Sequence, residues 1–405
     1  MRTISTAAAL AFLGAGTAAA QTTCRDFFAG AEPRWVEPQE ASEARFEPDC
    51  YAWRLFVAIS WPADVAQKAP DIAKALGDDG TVVWETWRNV RNGADDTAFP
   101  PRGADPGEWL AGTTPAIRQL SDFDPEALQQ SAARARDLAP IDAIAAEFVR
   151  NETRLNKATY QFIRDNELYN LEGQIALFES GVERIDFPLA AKEIKAQWRV
   201  IEEADKLRYH WAPVTRLDGT QAIYGLTALH ITTKDLPNWF WATFEHIDNR
   251  APQQPTDENP KGAEGWLLPS VDRFACSTEP HDCEQPPSIG LEGTKWANYV
   301  LRGTQVDFTD GLGNPTLLAN SQPEQGFQHT SSCITCHARA TIGAAGDRLP
   351  VFESTPPVMP MPVGSVGAPD PDWFRASGRG ALNIGTLHYT QLDFVWSLMR
   401  AQSKQ

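Results

Sequence analysis

Near the end of the chain, Cys333-Ile334-Thr335-Cys336-His337 brings two thiols and an imidazole into little more than one helical turn. A spacing of three puts both sulfurs on one side of such a turn, where they can add to the two vinyl groups along one edge of a porphyrin. The histidine that follows can then turn its imidazole onto the iron as proximal ligand. The spacing predicts one covalently attached haem c, with thioethers at Cys333 and Cys336 and iron coordination by His337. A thioredoxin-like thiol pair is the competing chemistry, but it belongs in a βαβ setting, and no such alternation surrounds residue 333.

The sixth iron ligand has several candidates. Met359 and Met361, in Val-Met-Pro-Met-Pro, follow His337 by 22 and 24 residues. A thioether opposite histidine is common among electron carriers, and the prolines at 356, 357, 360 and 362 hold the segment extended. The same methionines can instead pack on the haem face or in the core. His329, His388, His230 and His246 offer nitrogen ligands, and an open or water-bound position is the remaining alternative. Other catalytic signatures are missing: there is no Gly-x-Ser-x-Gly, no phosphate loop and no His-Glu-x-x-His. Lys234, Asp235, Glu245 and Asp248 cluster around an aromatic stretch and read as solvated charge.

The motif resembles that of bacterial c-type cytochromes. The stretch Phe327–Ala340, the late segment Tyr389–Leu398, and the strings Leu226–His230 and Trp239–Asn249 resemble an uncharacterised family of exported bacterial cytochrome c-like proteins with one C-terminal Cys-x-x-Cys-His motif. This resemblance implies a haem cofactor and electron transfer. The motif lies about 70 residues from the end, behind some 300 residues of other structure, which departs from the compact class I cytochrome. A single attachment motif also departs from the di-haem peroxidases. The extra length leaves room for a haem enzyme, peroxidase- or oxygenase-like with an open distal site, or for a haem-based ligand sensor.

The N-terminus predicts the compartment in which such a haem is attached. Met1-Arg2-Thr3 is positive, Ile4–Thr17 is apolar and small, and Ala18-Ala19-Ala20 is a cleavage pattern. This reads as a signal peptide over residues 1–20, cut before Gln21, giving a periplasmic or secreted chain with no transmembrane segment. In an oxidising compartment the other four cysteines suit two disulfides, and Cys24–Cys50 with Cys276–Cys283 are the local pairings of three possible. The net charge of −17 argues against nucleic acid and anionic membrane surfaces. It is compatible with a basic redox partner.

The elements that must position the motif read as α+β, helices packed with an antiparallel sheet, followed by a mainly α and irregular C-terminal haem-binding segment. Residues 21–320 form the α+β domain in this reading and residues 321–405 the haem-binding segment. Cys50–Trp61, apolar on nearly every side and stopped by Pro62, predicts a buried helix. Val82–Val90, Pro140–Phe178 and Leu392–Ala401 also read as helical. Alternation in Glu193–Ile201, Arg208–Leu217, Ile223–Thr232 and Phe240–Ile247 predicts four strands. Residues 93–115 and 249–290, rich in Gly, Pro and Asp, read as loops. Fourteen tryptophans supply core, or the wall of a large flat ligand.

Overall fold

The computed structural model of the chain describes residues 41–91, 94–110, 149–215, 219–254, 263–272, 291–350, 352–353, 361–362, 366–376 and 385–404. Its centre is a seven-stranded antiparallel sheet: β1 (Arg88–Asn89), β2 (Val149–Leu155), β3 (Lys192–Val200), β4 (Trp211–Thr215), β5 (Gln221–Thr233), β6 (Phe240–His246) and β7 (Tyr299–Gln305). The order is β1-β2-β3-β5-β6-β7. The long β5 pairs with β3 along one edge, and with β4 and then β6 along the other. The architecture is α+β, and the four strands read from alternation are present within two or three residues of their expected ends.

Two bulges set which residues face which side. Thr227 is the extra residue between the pairs Gln197–Ala228 and Trp198–Leu226, and Arg302 between Thr243–Gly303 and Phe244–Leu301. Because side chains alternate along a strand, the register sorts them into rows. Ile194, Ile231 and Ala242 form one row, and Ala196, Leu229, Phe244 and Leu301 the next, all on one face. Glu193, Thr232, Trp241 and Gln305, and then Lys195, His230, Thr243 and Gly303, occupy the other. The sheet is thus apolar on one side and polar on the other.

The apolar side is covered by α2 (Pro48–Ile59), which follows the short α1 (Ala41–Phe46). Pro48 suits the first helical turn, where its missing N–H costs nothing. The helix is buried nearly all round. Phe56 stacks on Phe244 at 4.4 Å between centroids, and Tyr51 meets Phe240 edge-on at 5.0 Å. Two further helices, α3 (Lys157–Asp165) and α4 (Leu171–Glu179), are capped by Asn156 and Asn170, whose side chains accept from Thr159 N and Gly173 N. The polar side of the sheet is covered by the C-terminal segment, and Ile334, Ile342, Leu392 and Leu398 of that segment belong to the same core cluster as α2.

Three expected helices differ. Val82–Val90 is a 3-10 turn at Val83–Thr86 leading into β1. The run from Pro140 is strand β2 over residues 149–155 before α3 begins. Arg154 explains that difference: buried between β2 and residue 96, it pairs with Asp96 at 2.8 Å and with Glu152 at 2.7 Å, an i,i+2 contact. Leu392–Ala401 holds only a 3-10 turn, Trp396–Arg400, because Asp393 and Phe394 adopt left-handed backbone that no helix can include. No helix among the described residues is long and apolar enough to cross a membrane.

Candidate functional site

The Cys-x-x-Cys-His motif forms α5 (Cys333–His337), one short turn of helix. Gln305, at the end of β7, ties it to the sheet. Its Oε1 accepts from Ile334 N at 3.0 Å, and its Nε2 donates to Ser332 Oγ at 2.8 Å and to Thr316 O at 3.0 Å. Ser332 Oγ is 3.0 Å from Thr335 Oγ1, which donates to Gly367 O at 2.7 Å. Ile334 and Thr335 are buried, so the alternate positions Cys333 and Cys336 are left half-buried as free thiols. Burial pushes both thiols upward, Cys336 to about 11, with Glu324 adding to it. They are therefore protonated at neutral pH. Trp396 Nε1 donates to the Cys336 carbonyl at 3.0 Å and closes the helix from the far side.

His337 is held from behind. Its Nδ1–H donates to the Phe394 carbonyl at 2.8 Å, a partner that can only accept, so in the neutral ring Nε2 carries the lone pair. Among the described residues Nε2 has no protein partner. Burial depresses the imidazole to about 4, against the opposing pull of the Phe394 carbonyl, and the ring is neutral at physiological pH. Trp241 of β6 packs beside it at 4.6 Å. The carbonyl is aimed by strained backbone: φ is 49° at Asp393 and 67° at Phe394, where a bulky side chain is an outlier. Such positions cost about 1–3 kcal/mol each and persist only under tight constraint. Lys234 supplies it, donating from Nζ to Asp393 Oδ1 at 2.7 Å while Phe187 N donates to Oδ2 at 2.8 Å.

The polar rows of the sheet form the floor beneath this segment. Ser397 Oγ donates to Glu193 Oε1 at 2.8 Å, and Asn320 Nδ2 to Thr243 Oγ1 at 2.9 Å. Ser321 N donates to Glu245. His230 Nε2 lies 3.6 Å from Glu324 Oε2, too far for a hydrogen bond, and is a buried atom with no other partner among the described residues. Burial raises Glu193, Glu245 and Glu324 each to about 7 and lowers His230 to about 3. The three carboxyls of the floor thus sit near their titration midpoint at neutrality, His230 is neutral there, and Arg302 lies 3.4 Å from Glu245. The chemistry open to the donor set is thioether formation at Cys333 and Cys336 and coordination through His337 Nε2. No group of three or more His, Cys, Asp or Glu side chains among the described residues could hold a metal ion by itself.

The other expected residues are dispersed. Met359 lies outside the described residues, and Met361 begins a two-residue strand, Met361–Pro362, paired with Phe352–Glu353. His329 and His388 are exposed. His246 is buried with both ring nitrogens engaged: Nε2 with Arg208 O and Nδ1 with Asp248 N, each at 3.2 Å. No nitrogen is left there for iron. Cys50 lies buried in α2 and is not among the free thiols, whereas Cys24, Cys276 and Cys283 fall outside the described residues, as does the signal segment 1–20. The charged cluster is structural: Lys234 braces Asp393, and Asp248 pairs with Arg208 and Tyr209. Gln305, Trp241, Glu324 and the Phe394 carbonyl escape sequence reasoning because each is brought to the motif from another element. Compared with known proteins, the chain matches no family model, no curated protein and no solved structure.

Proposed function

We propose that the chain is an exported mono-haem c-type cytochrome that transfers electrons through one covalently bound haem. One observation carries this reading: the His337 imidazole is neutral, with Nδ1 fixed on the Phe394 carbonyl and Nε2 left to coordinate, next to two free, half-buried thiols. A backbone acceptor behind a ligating histidine sets its tautomer and orientation. Cys333 and Cys336 would hold a haem through thioethers and His337 would bind its iron; a haem so bound supplies one-electron chemistry. Met359 or Met361 is the proposed distal ligand. The resemblance of the motif and its flanks to exported bacterial cytochromes supports the periplasmic or secreted location, and the net charge of −17 suits a basic redox partner.

Haem staining after denaturing electrophoresis tests this reading. Wild-type protein matured with haem should keep one haem per chain. Cys333→Ala or Cys336→Ala should weaken retention, and His337→Ala should change the iron spectrum most. Loss of haem from the denatured wild type removes the proposal. A second reading, a haem enzyme or ligand sensor with an open sixth position, is favoured by the unpartnered His230 beside Glu324, two groups able to hold or move a proton next to the motif. A low-spin ferric spectrum with a near-infrared sulfur-to-iron band supports the methionine-ligated carrier. A high-spin resting spectrum with rapid carbon monoxide binding after reduction supports the enzyme or sensor.

A further inference from the structure

On the α2 side of the sheet, away from α5, a cavity of about 440 Å³ opens between α2, a small hairpin and the start of α3. The hairpin pairs Ala63–Asp64 with Ala69–Pro70, and Lys68 closes its turn with φ at 52°, a left-handed conformation disfavoured for a side chain of this size. Lys68 Nζ is shielded from solvent, has no hydrogen-bond partner among the described residues and lies 5.3 Å from the Trp109 ring. A buried ammonium without a partner is costly. Its charged neighbours relieve it only in part: Asp96, paired with Arg154, favours the ammonium, while Arg88 and Arg154 oppose it. Lys157 and Lys192 also line the space, while Trp87, Trp109, Leu55 and Ile59 supply apolar wall. Burial and Arg88 push the Lys68 ammonium down to about 8, so it is still mostly charged at neutral pH.

We infer that this cavity binds a small organic carboxylate, its carboxylate pairing with Lys68 and its hydrocarbon body lying against Trp87 and Trp109. The volume falls within the range of small-molecule sites, which combine apolar walls with a few placed polar groups. An inorganic anion would satisfy the ammonium but leave the tryptophan-lined space unused, and a neutral ligand would leave the ammonium unpaired.

Isothermal titration of the full haem-loaded protein at neutral pH tests the assignment with hexanoate and benzoate as probes, their neutral amides as isosteres, and inorganic phosphate. At least one acid should bind saturably, its amide at least about tenfold more weakly, and phosphate more weakly than the acid. Lys68→Met should weaken the acid about tenfold or more with an unchanged circular dichroism spectrum, and Lys68→Arg should stay within a few-fold of wild type. The inference is overturned if neither acid binds below ~10 mM, if the amide or phosphate binds as well as the acid, or if a folded Lys68→Met variant keeps its affinity. The wild-type comparison of acid with amide decides the matter even if the variant does not fold.

Discussion

Three carboxyls distinguish this molecule at the residue scale, Glu193 and Glu245 on the polar sheet face and Glu324 from the turn lying over it, because each is raised to about 7 by desolvation. Glu193 is the simplest of the three, since its hydrogen-bond partner is a single hydroxyl, Ser397 Oγ at 2.8 Å. A carboxyl whose folded value lies above its unfolded one binds more protons when folded. The stability it confers is therefore complete below about pH 4.5 and is lost as pH rises through about 7. Between pH 5 and 8 this one group should cost the wild type roughly 2–3 kcal/mol. Glu193→Gln keeps the shape and a hydrogen-bonding group but cannot ionise, so its stability should be flatter across that window. Urea unfolding of both proteins at several pH values measures the difference, and parallel curves would show that Glu193 is ionised in the folded state.

The elements matter here through the joints between them. Gln305 ends β7 and makes its side-chain hydrogen bonds to α5 and the strap before it, through Ile334 N, Ser332 Oγ and the Thr316 carbonyl and hydroxyl. Replacing it with leucine keeps the bulk but leaves Ile334 N and Ser332 without this partner in a buried place. An unsatisfied buried donor costs about 1–3 kcal/mol. Gln305→Leu should lower stability by that amount and reduce the fraction of chains that retain haem on a denaturing gel, because the two thiols are then less well placed. Loss of stability with full haem retention would show that α5 is positioned from elsewhere. The Lys234–Asp393 pair is a second joint of this kind, linking the turn after β5 to the strained carbonyl behind His337.

Across the molecule both faces of the central strands are largely covered among the described residues, with Lys195 of β3 exposed on the polar side. Its apolar rows pack on α2 and its polar rows carry the C-terminal segment, which also sends Ile334, Ile342, Leu392 and Leu398 into the common core. A segment that shares a core cannot leave it without exposing the partner surface. Thermal unfolding followed by far-ultraviolet circular dichroism and by haem absorbance should therefore give coincident transitions. Two separated transitions would show that the C-terminal segment folds as a unit of its own.

Periodicity and local chemistry made much of this legible in the sequence. Alternating runs marked β3 to β6, a continuously apolar run stopped by Pro62 marked α2, and Cys333, Cys336 and His337 marked their own chemistry, because each of these signals lies within a few consecutive residues. Val82–Val90 and residues 149–155 read as helix from apolar spacing alone, but pairing with distant strands and the buried Arg154 pairs outweighed that local preference. Which backbone oxygen meets His337, which glutamine anchors α5 and which lysine is left unpaired in a cavity were decided only by tertiary structure. Those partners lie 57 and 29 residues from the motif in the first two cases, and in the third across a cavity assembled from segments between residues 55 and 192. Contacts closed over such separations leave no mark on local composition, because they depend on sheet register, on two bulges and on backbone strain that exist only once the chain has folded.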